Sequence, residues 1–225
     1  MASDIKSGEA KELDRKTTIL RAAIDVFATK GYHGCRIADV AREAKVAYGL
    51  VYHYFKNKDE LLQSVFRTGF DFFLGKIRDA IAQGDTLEEK VRRICALCFE
   101  AYRRDPHAVR VLVLQVARSP AIGVKNRLFA FEGIIRVTAD MFVEAKERGE
   151  LREELDPLLC ALFLFGALEM GLTSLVAGMR DAAEPGALEQ AERQVAAVFL
   201  QGVMAPEAMW KRASSSTRSK AARRS

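Results

Sequence analysis

Apolar residues recur at steps of three and four along almost the whole 225-residue chain, and this helical periodicity limits the possible folds more than any other feature. In the first clear stretch, which begins at Asp14, the apolar face carries Ile19, Val26 and Phe27, and Gly31 follows as a stop. No segment shows a convincing strand pattern or an internal repeat. The sequence therefore predicts an all-α protein of about nine helices.

Capping residues, prolines and glycines mark where these helices begin and end. Asn57 with Glu60, and Thr86 with Glu89, have the spacing of a capping box, in which each side chain bonds a backbone N–H of the first turn. The predicted helices cover about residues 14–30, 36–44, 48–55, 58–83, 86–104, 107–117, 124–149, 157–179 and 187–203.

Composition favours a globular protein that stays in the cytoplasm. Hydrophobic residues make up 49% of the chain and charged residues 29%. No signal sequence opens it, and the apolar run from Leu158 is interrupted by Glu169, short of the roughly 18 residues that a membrane span needs. We therefore expect no membrane partner.

The residues that carry catalysis or bind metals are few and scattered. The pair Cys95-x-x-Cys98 has half the spacing of a zinc site, but no second pair follows, and both thiols fall on an apolar helical face. No nucleophilic triad, phosphate loop or carboxylate pair stands out. The sequence predicts no catalytic residues, no metal and no cofactor, so the protein is not expected to be an enzyme.

The segment YGLVYHYF, residues 48–55, has the propensity of a strand but no strand to pair with. As a helix it places Val51 and Phe55 on a core side and Tyr52 on an outer side. Three short helices, of which the last two are joined by a tight turn, form a helix-turn-helix plan whose third helix enters the DNA major groove. The basic N-terminal unit and the basic tail from Lys211 also suit a polyanionic partner, although the tail is equally consistent with a solvated end.

The motif GYHGCRIADVAREAKVAYGLVYHYFKNKDELL, residues 31–62, resembles the DNA-binding domain of TetR-family transcriptional regulators. Ten positions match the family pattern in register: Gly31, Ala41, Ala44, Val46, Gly49, Tyr52, Tyr54, Phe55, Lys58 and Leu61. With the preceding helix, the resemblance covers about residues 12–62. Three positions depart from the pattern, since Cys35 and Leu50 stand where Thr is frequent and Lys45 replaces the glycine of the turn.

The resemblance implies which residues meet double-stranded DNA. The residues implied to contact bases or phosphates are Arg36, Tyr48, Gly49, Leu50, Tyr52, His53 and Lys58. Gly49 would allow a close approach of the helix to DNA. Leu50 can touch a thymine methyl group but cannot donate a hydrogen bond.

The helices after the motif are expected to form a dimer and an effector site. The last two helices are apolar, and the resemblance implies that they form a four-helix bundle across a homodimer, with interface residues Phe163, Gly166, Gly171, Val195 and Phe199. The predicted pocket for a small lipophilic effector uses Phe99, Tyr102, Arg110, Val113, Arg118, Phe131, Phe142 and Glu169. Glu169 faces either this pocket or the dimer interface, because a carboxylate in an apolar helix needs a partner.

Four segments follow: a flexible N-terminus (1–12), a helix-turn-helix domain (13–57), a helical effector-binding and dimerisation domain (58–210) and a basic disordered tail (211–225). The resemblance implies a homodimeric repressor that leaves a palindromic operator when its effector binds. The alternative is a DNA-binding or nucleoid-associated dimer without an effector.

Overall fold

The structure, a computed structural model, describes residues 2–116 and 124–206, and the side chains of residues 12–113 and 131–206. The predicted Arg118 and basic tail lie outside these residues. Within the described ranges every regular element is helical, which confirms the all-α prediction. The helices are α1 (Ala2–Gly34), α2 (Ile37–Glu43), α3 (Tyr48–Tyr54), α4 (Lys58–Ala82), α5 (Leu87–Arg104), α6 (Pro106–Arg110), a π-helical segment (Val111–Val116), α7 (Val124–Glu147), α8 (Pro157–Val176) and α9 (Ala187–Val203).

Helix α1 starts earlier than the sequence pattern predicts, because residues 2–12, expected to be flexible, are helical. This stretch is rich in Ala, Glu and Lys, which are strong helix formers, but it lacks the apolar periodicity by which a helix is found. The predicted stop is visible as a kink, since Gly31 has φ 71° and ψ 160° inside the continuous helix. Glycine adopts this positive φ without the steric cost that a side chain adds.

The predicted capping residues bond backbone N–H groups at the starts of both α4 and α5, although Glu60 bonds the residue before the cap and not Asn57 itself. The side chain of Asn57 accepts a hydrogen bond from the Glu60 N–H at 2.8 Å, and the Glu60 carboxylate accepts one from the Lys56 N–H at 2.7 Å. Thr86 and Glu89 satisfy each other's N–H groups at the start of α5. These caps satisfy N–H groups that a helix start leaves without intrahelical partners.

The chain packs into two compact units. The first is formed by residues 1–73 and 101–130, and the second by residues 74–100 and 131–225. The domain boundary predicted after Asn57 therefore lies within the first unit, which also contains most of α4 and all of α6. The order of the sequence does not indicate this grouping, because α6 packs on α1 although the two helices are far apart along the chain.

Each unit has its own apolar core. In the first unit the largest fully buried side chains are Ile19, Phe27, Phe55, Leu61 and Leu62. In the second unit they are Ile77, Leu87, Ile94, Phe99, Ile134 and Phe142. Thr138 is buried among the latter, and its hydroxyl donates to the carbonyl of Ile134 at 2.8 Å.

Helix α8 has a mean hydropathy of 1.9 over its most apolar window and is, among the described helices, the one long and apolar enough to cross a membrane. The expectation that this run is too short for a span was wrong, because the helix continues past Glu169 to Val176 with no further charge. Core helices pass the same test of length and composition, so the test alone is weak support for a span. One third of the window is buried in this structure.

Candidate nucleic-acid interface

The turn between α2 and α3 places Lys45, which stands where the family pattern has glycine, in the left-handed conformation, with φ 55°. Its N–H donates to the carbonyl of Arg42 at 3.1 Å, and the next N–H, of Val46, donates to Ala41 at 3.0 Å. A non-glycine residue here costs about 1–2 kcal/mol. These backbone bonds hold the turn and direct the chain into α3.

Helix α3 is anchored on one side and open on the other. Val51 and Phe55 are completely buried in the core of the first unit, as the helical pattern predicted. The opposite side exposes Tyr48 at 53% and Tyr52 at 43% of their surface. Large aromatic side chains with polar tips suit a wet, charged partner, since the ring supplies contact area and the hydroxyl a hydrogen bond.

The two exposed tyrosines support each other one helical turn apart. Their ring centroids lie 5.1 Å apart in an edge-to-face arrangement, and their hydroxyl oxygens are 3.2 Å apart. The hydrogen bond to Tyr48 raises the pKa of Tyr52. Tyr52 therefore stays neutral near pH 7 and can donate to a phosphate or a base edge.

Gly49 lies between these tyrosines, exposed and inside the helix. A Cβ built at this position meets no other atom within 4 Å, so nothing in the chain requires a glycine here. Glycine in a helix costs about 0.5–1 kcal/mol relative to alanine. Packing within the chain therefore does not explain the glycine at this position.

The other predicted contacts of this surface are also accessible. His53 is exposed and its ring packs edge-on against Tyr54 at 5.1 Å, while Leu50 is half-buried. Arg36 is exposed just before α2, where the carboxylate of Asp39 accepts a hydrogen bond from its backbone N–H at 2.9 Å. We call Arg36, Tyr48, Gly49, Leu50, Tyr52 and His53 the α3 surface.

Asp39 joins α2 to α1 through its carboxylate. Its carboxylate pairs with Lys30 at 2.7 Å and with Arg42 one turn on. The hydrogen bonds from Lys30 and from the Arg36 backbone lower the pKa of Asp39 to about 2. Asp39 therefore remains ionised at neutral pH and fixes the start of α2, a role that sequence reasoning missed.

Lys58 does not point away from the protein, as a phosphate contact would. Its ammonium group donates to the carbonyls of Tyr32 at 2.7 Å and Cys35 at 3.1 Å, and lies 4.4 Å from the centre of the Tyr32 ring. Lys58 thus ties the start of α4 to the turn that follows α1. The family pattern places a lysine here, but its structural partners are backbone carbonyls, which no sequence motif displays.

Helix α6 is attached to α1 within the first unit by two polar contacts. Asp105 caps α6 by accepting from the Ala108 N–H at 3.0 Å and also pairs with Arg21. His107 Nδ1 lies 2.8 Å from the carboxylate of Asp25. Movement of α6 would therefore be transmitted directly to α1.

A second exposed surface lies along α8 and α9 in the second unit. A groove of about 750 Å³ runs between the two helices and is lined mainly by apolar side chains. Phe163 is 65% exposed and Val198 72% exposed, which is unusual for large apolar residues. We call the exposed residues Leu158, Leu159, Leu162, Phe163, Gly166, Met170 and Val198 the α8 face.

The residues predicted for the dimer interface divide between this face and the interior. Phe163 and Gly166 are exposed, and Phe163, Val195 and Phe199 line the groove. Gly171 differs, because a Cβ there would lie 3.3 Å from Val195 and 3.4 Å from Phe99. Its small size therefore serves packing within the chain. Periodicity could not distinguish these sides, since α8 is apolar nearly all round.

Two protein-family models together match most of the chain. Residues 19–65 match the family of bacterial regulatory proteins described as the tetR family, and residues 66–183 match the C-terminal region of YsiA-like proteins. The chain belongs to the TetR family of transcriptional regulators. This confirms the resemblance identified from residues 31–62.

Several TetR-family relatives are regulators of fatty acid metabolism. The fatty acid metabolism regulator protein of Bacillus subtilis is 28% identical over 70% of this chain and 81% of its own length. The fatty acid degradation regulator FadR from Bacillus halodurans has a TM-score of 0.75 at 28% identity, covering 84% of this chain and 95% of that one. FadR from Bacillus subtilis, solved in complex with stearoyl-CoA, has a TM-score of 0.74 at 25% identity, covering 83% and 98%.

In this TetR-family chain the predicted effector residues belong to both units. Phe99 and Phe142 are fully buried and Phe131 half-buried in the second unit, whereas Tyr102, Arg110 and Val113 belong to the first. Glu169 is exposed on α8, so it needs no buried partner within the chain. Whether Glu169 belongs to the effector pocket or to the dimer interface, the two places predicted for it, stays a prediction.

The cysteines are all buried and reduced, and Cys95 and Cys98 lie in the core of the second unit. Burial raises the pKa of the Cys95 thiol to about 12 and also raises that of Cys98. Such thiols are poor metal ligands, which bind as thiolates. Across the described ranges, no cluster of three His, Cys, Asp or Glu side chains could hold a metal ion. The matched families are families of regulators and not of enzymes.

Proposed function

We propose that the protein is a homodimeric cytoplasmic repressor that binds a palindromic operator through the α3 surface and leaves it when a long-chain acyl-CoA binds. The DNA-binding role is supported by the difference between the buried side and the exposed side of α3. Val51 and Phe55 anchor the helix, while Tyr48, Gly49 and Tyr52 occupy the open side. A helix held in this way can enter the major groove without disturbing its own domain.

Each member of the α3 surface has a proposed role. Gly49 lets the first turn of the helix approach DNA closely, and Tyr48, Tyr52 and His53 donate to phosphates or base edges. Arg36, at the start of α2, pairs with a backbone phosphate. Lys58 is left out of this set because its ammonium group already bonds two carbonyls.

Dimerisation through the α8 face supplies the second helix-turn-helix unit that a palindromic operator needs. One helix-turn-helix unit reads few base pairs, and two copies must reach half-sites about 34 Å apart. The α8 face has the large exposed apolar side chains that a symmetric interface buries. Glu169, at its edge, is proposed to bond across this interface and not inside the effector pocket.

The effector class follows from the relatives together with the residues. Two similar proteins are named for fatty acid regulation, and one was solved with stearoyl-CoA. The acyl chain fits the lipophilic effector expected from the apolar body helices. The coenzyme A portion is anionic, which composition alone did not predict, and Arg110 is a candidate to meet it.

Helix α6 is proposed to carry the signal from effector to DNA. It is bound to α1 by the Arg21–Asp105 and Asp25–His107 pairs, so a shift of α6 displaces the helix that supports α3. Release also requires differential affinity. Moving the protein from 99% to 1% DNA-competent needs an effector that binds the released state about 10⁴-fold more tightly.

The test begins with binding-site selection from random DNA, followed by titration of stearoyl-CoA into the protein–operator complex. We expect a palindromic site, salt-dependent binding and release by stearoyl-CoA but not by coenzyme A without an acyl chain. DNA binding that stearoyl-CoA leaves unchanged would instead support the nucleoid-associated alternative. Absence of any salt-dependent DNA binding would refute the proposal as a whole.

A further inference from the structure

Helix α3 is short of the side chains that usually identify purines. Bidentate contacts in the major groove come from Arg or Lys to guanine and from Asn or Gln to adenine. The helix, Tyr48 to Tyr54, contains none of these four residue types. Its polar groups are the tyrosine hydroxyls and the imidazole of His53. Direct reading by α3 must therefore depend on single hydrogen bonds and on apolar contacts.

Leu50 is the aliphatic side chain of α3 that the fold leaves partly exposed, since Val51 is buried. It is half-buried, and among the described residues the partly buried side chains packed on the core of the first unit are Leu20, Ile24, Val46, Tyr54, Phe70 and Leu112, without Leu50. It lies in the first turn of α3, where its N–H donates to the carbonyl of Ala47 at 2.9 Å. The N-terminal residues of a recognition helix are the ones that reach base edges.

The neighbours of Leu50 favour a close apolar contact. Gly49 adds no side chain and has open space around it, and Ala47, just before the helix, is exposed and carries only a methyl group. A leucine in this setting has one matching partner in the major groove, since the C5-methyl group of thymine is the apolar group that base pairs present there.

We propose that Leu50 reads the methyl group of a thymine in each operator half-site, so that this base is selected by apolar contact and not by a hydrogen bond. The inference rests on the proposed DNA-binding function, which it extends by naming the base and the chemical group recognised. Such a contact distinguishes thymine from cytosine and also from uracil, which presents the same hydrogen-bonding groups without the methyl.

The experiment replaces thymines of the selected operator by deoxyuridine, one symmetric pair at a time, and measures affinity for the full-length protein. At one thymine position, we expect replacement in a single half-site to lower operator affinity about fourfold, the effect of one buried methyl group. Replacement in both half-sites should lower it about 15-fold. At the other thymines the affinity should change by less than about twofold.

Two variants assign the effect to a residue. Leu50→Ala should fold, because Leu50 is not part of the core, and should bind thymine and deoxyuridine operators equally. His53→Ala, a control on the same helix, should lower affinity for both operators but keep their ratio. Circular dichroism checks the fold of each variant, and the wild-type deoxyuridine scan remains decisive if Leu50→Ala fails to fold.

The possible results distinguish failure of the Leu50 contact from failure of the proposed DNA-binding function. A wild-type protein that binds no DNA overturns the proposed function itself. Binding that no deoxyuridine substitution weakens, or a selected operator without thymine in either half-site, overturns only the reading by Leu50. A methyl effect that persists unchanged in Leu50→Ala assigns the contact to another residue and also overturns it.

Discussion

The α3 surface and the α8 face both expose large apolar side chains, but their chemistry differs. The first consists mainly of aromatic rings with polar tips, beside the exposed Arg36 and Lys45. The second consists of Leu, Phe, Met and Val, with Glu169 as its charged neighbour. Polar-tipped rings suit a hydrated, anionic partner, whereas aliphatic side chains gain most when another apolar surface excludes water. The exposure of apolar side chains therefore does not by itself indicate the kind of partner. The polar groups next to those side chains indicate it.

The largest expected effect comes from placing a charge on the α8 face. Phe163→Glu should convert the dimer to a monomer, because a carboxylate buried at an apolar interface is unpaired. Operator affinity should then fall by about 100-fold or more, since the two half-sites lose their linkage. Analytical ultracentrifugation and operator titration measure the two effects.

Phe72→Glu is the matched control for this substitution. Phe72 in α4 is 69% exposed, close to the 65% of Phe163, but it is not part of the α8 face. We expect this variant to remain dimeric. If both variants were monomeric, or if Phe163→Glu stayed dimeric, the α8 face would not be the interface.

A smaller effect, with opposite signs for stability and binding, is expected at Gly49. Gly49→Ala should raise the free energy of unfolding by about 0.5–1 kcal/mol, because the helix gains a better former and the added methyl meets open space. The same methyl should lower operator affinity by about tenfold by preventing close approach to DNA. Gly75→Ala, at an exposed α4 glycine with equally open space, should be stabilising without affecting DNA binding. Unchanged operator affinity in Gly49→Ala would remove Gly49 from the DNA interface.

Substitution of Lys58 tests whether the α3 surface extends to the start of α4. Lys58→Met should lower the free energy of unfolding by about 1–3 kcal/mol, because two carbonyls lose a charged donor. The slope of log Kd against log salt should stay the same. Lys56→Met, at an exposed lysine two residues earlier, controls for the loss of a positive charge. A slope lower by about 1 per half-site in Lys58→Met would show the phosphate contact predicted from the family pattern.

The smallest effect is expected at Asp39, which joins α2 to α1 through its ion pair with Lys30. Its pKa falls from 3.8 to about 2 in the folded protein, so its contribution to stability is present above about pH 4 and is lost as the pH falls through 2. Asp39→Asn should lower the melting temperature by a few degrees near pH 7, and this difference from wild type should shrink as the pH approaches 2. Asp14→Asn, at an exposed carboxylate of α1, should have no such effect. A difference that is independent of pH would mean that the charge of Asp39 is not what stabilises α2.

Local signals were sufficient for most of the helices and for the helix-turn-helix segment. The capping hydrogen bonds at Asn57 and Thr86 are made by residues three apart, so the spacing that predicts them is also the geometry that forms them. The same holds for Val51 and Phe55, whose spacing of four places them on one buried side. The early start of α1 was missed because a helix made by propensity alone has no apolar stripe.

By itself, the sequence determined the all-helical fold, the tight turn before α3 and membership of the TetR family, because each is expressed in residues close together along the chain. Tertiary structure decided that Lys58 bonds the turn after α1, that α6 packs on α1, that Gly171 serves internal packing and that Glu169 faces outward. These depend on which distant residues meet, and a helix that is apolar nearly all round, such as α8, carries no sequence signal for which of its sides is covered.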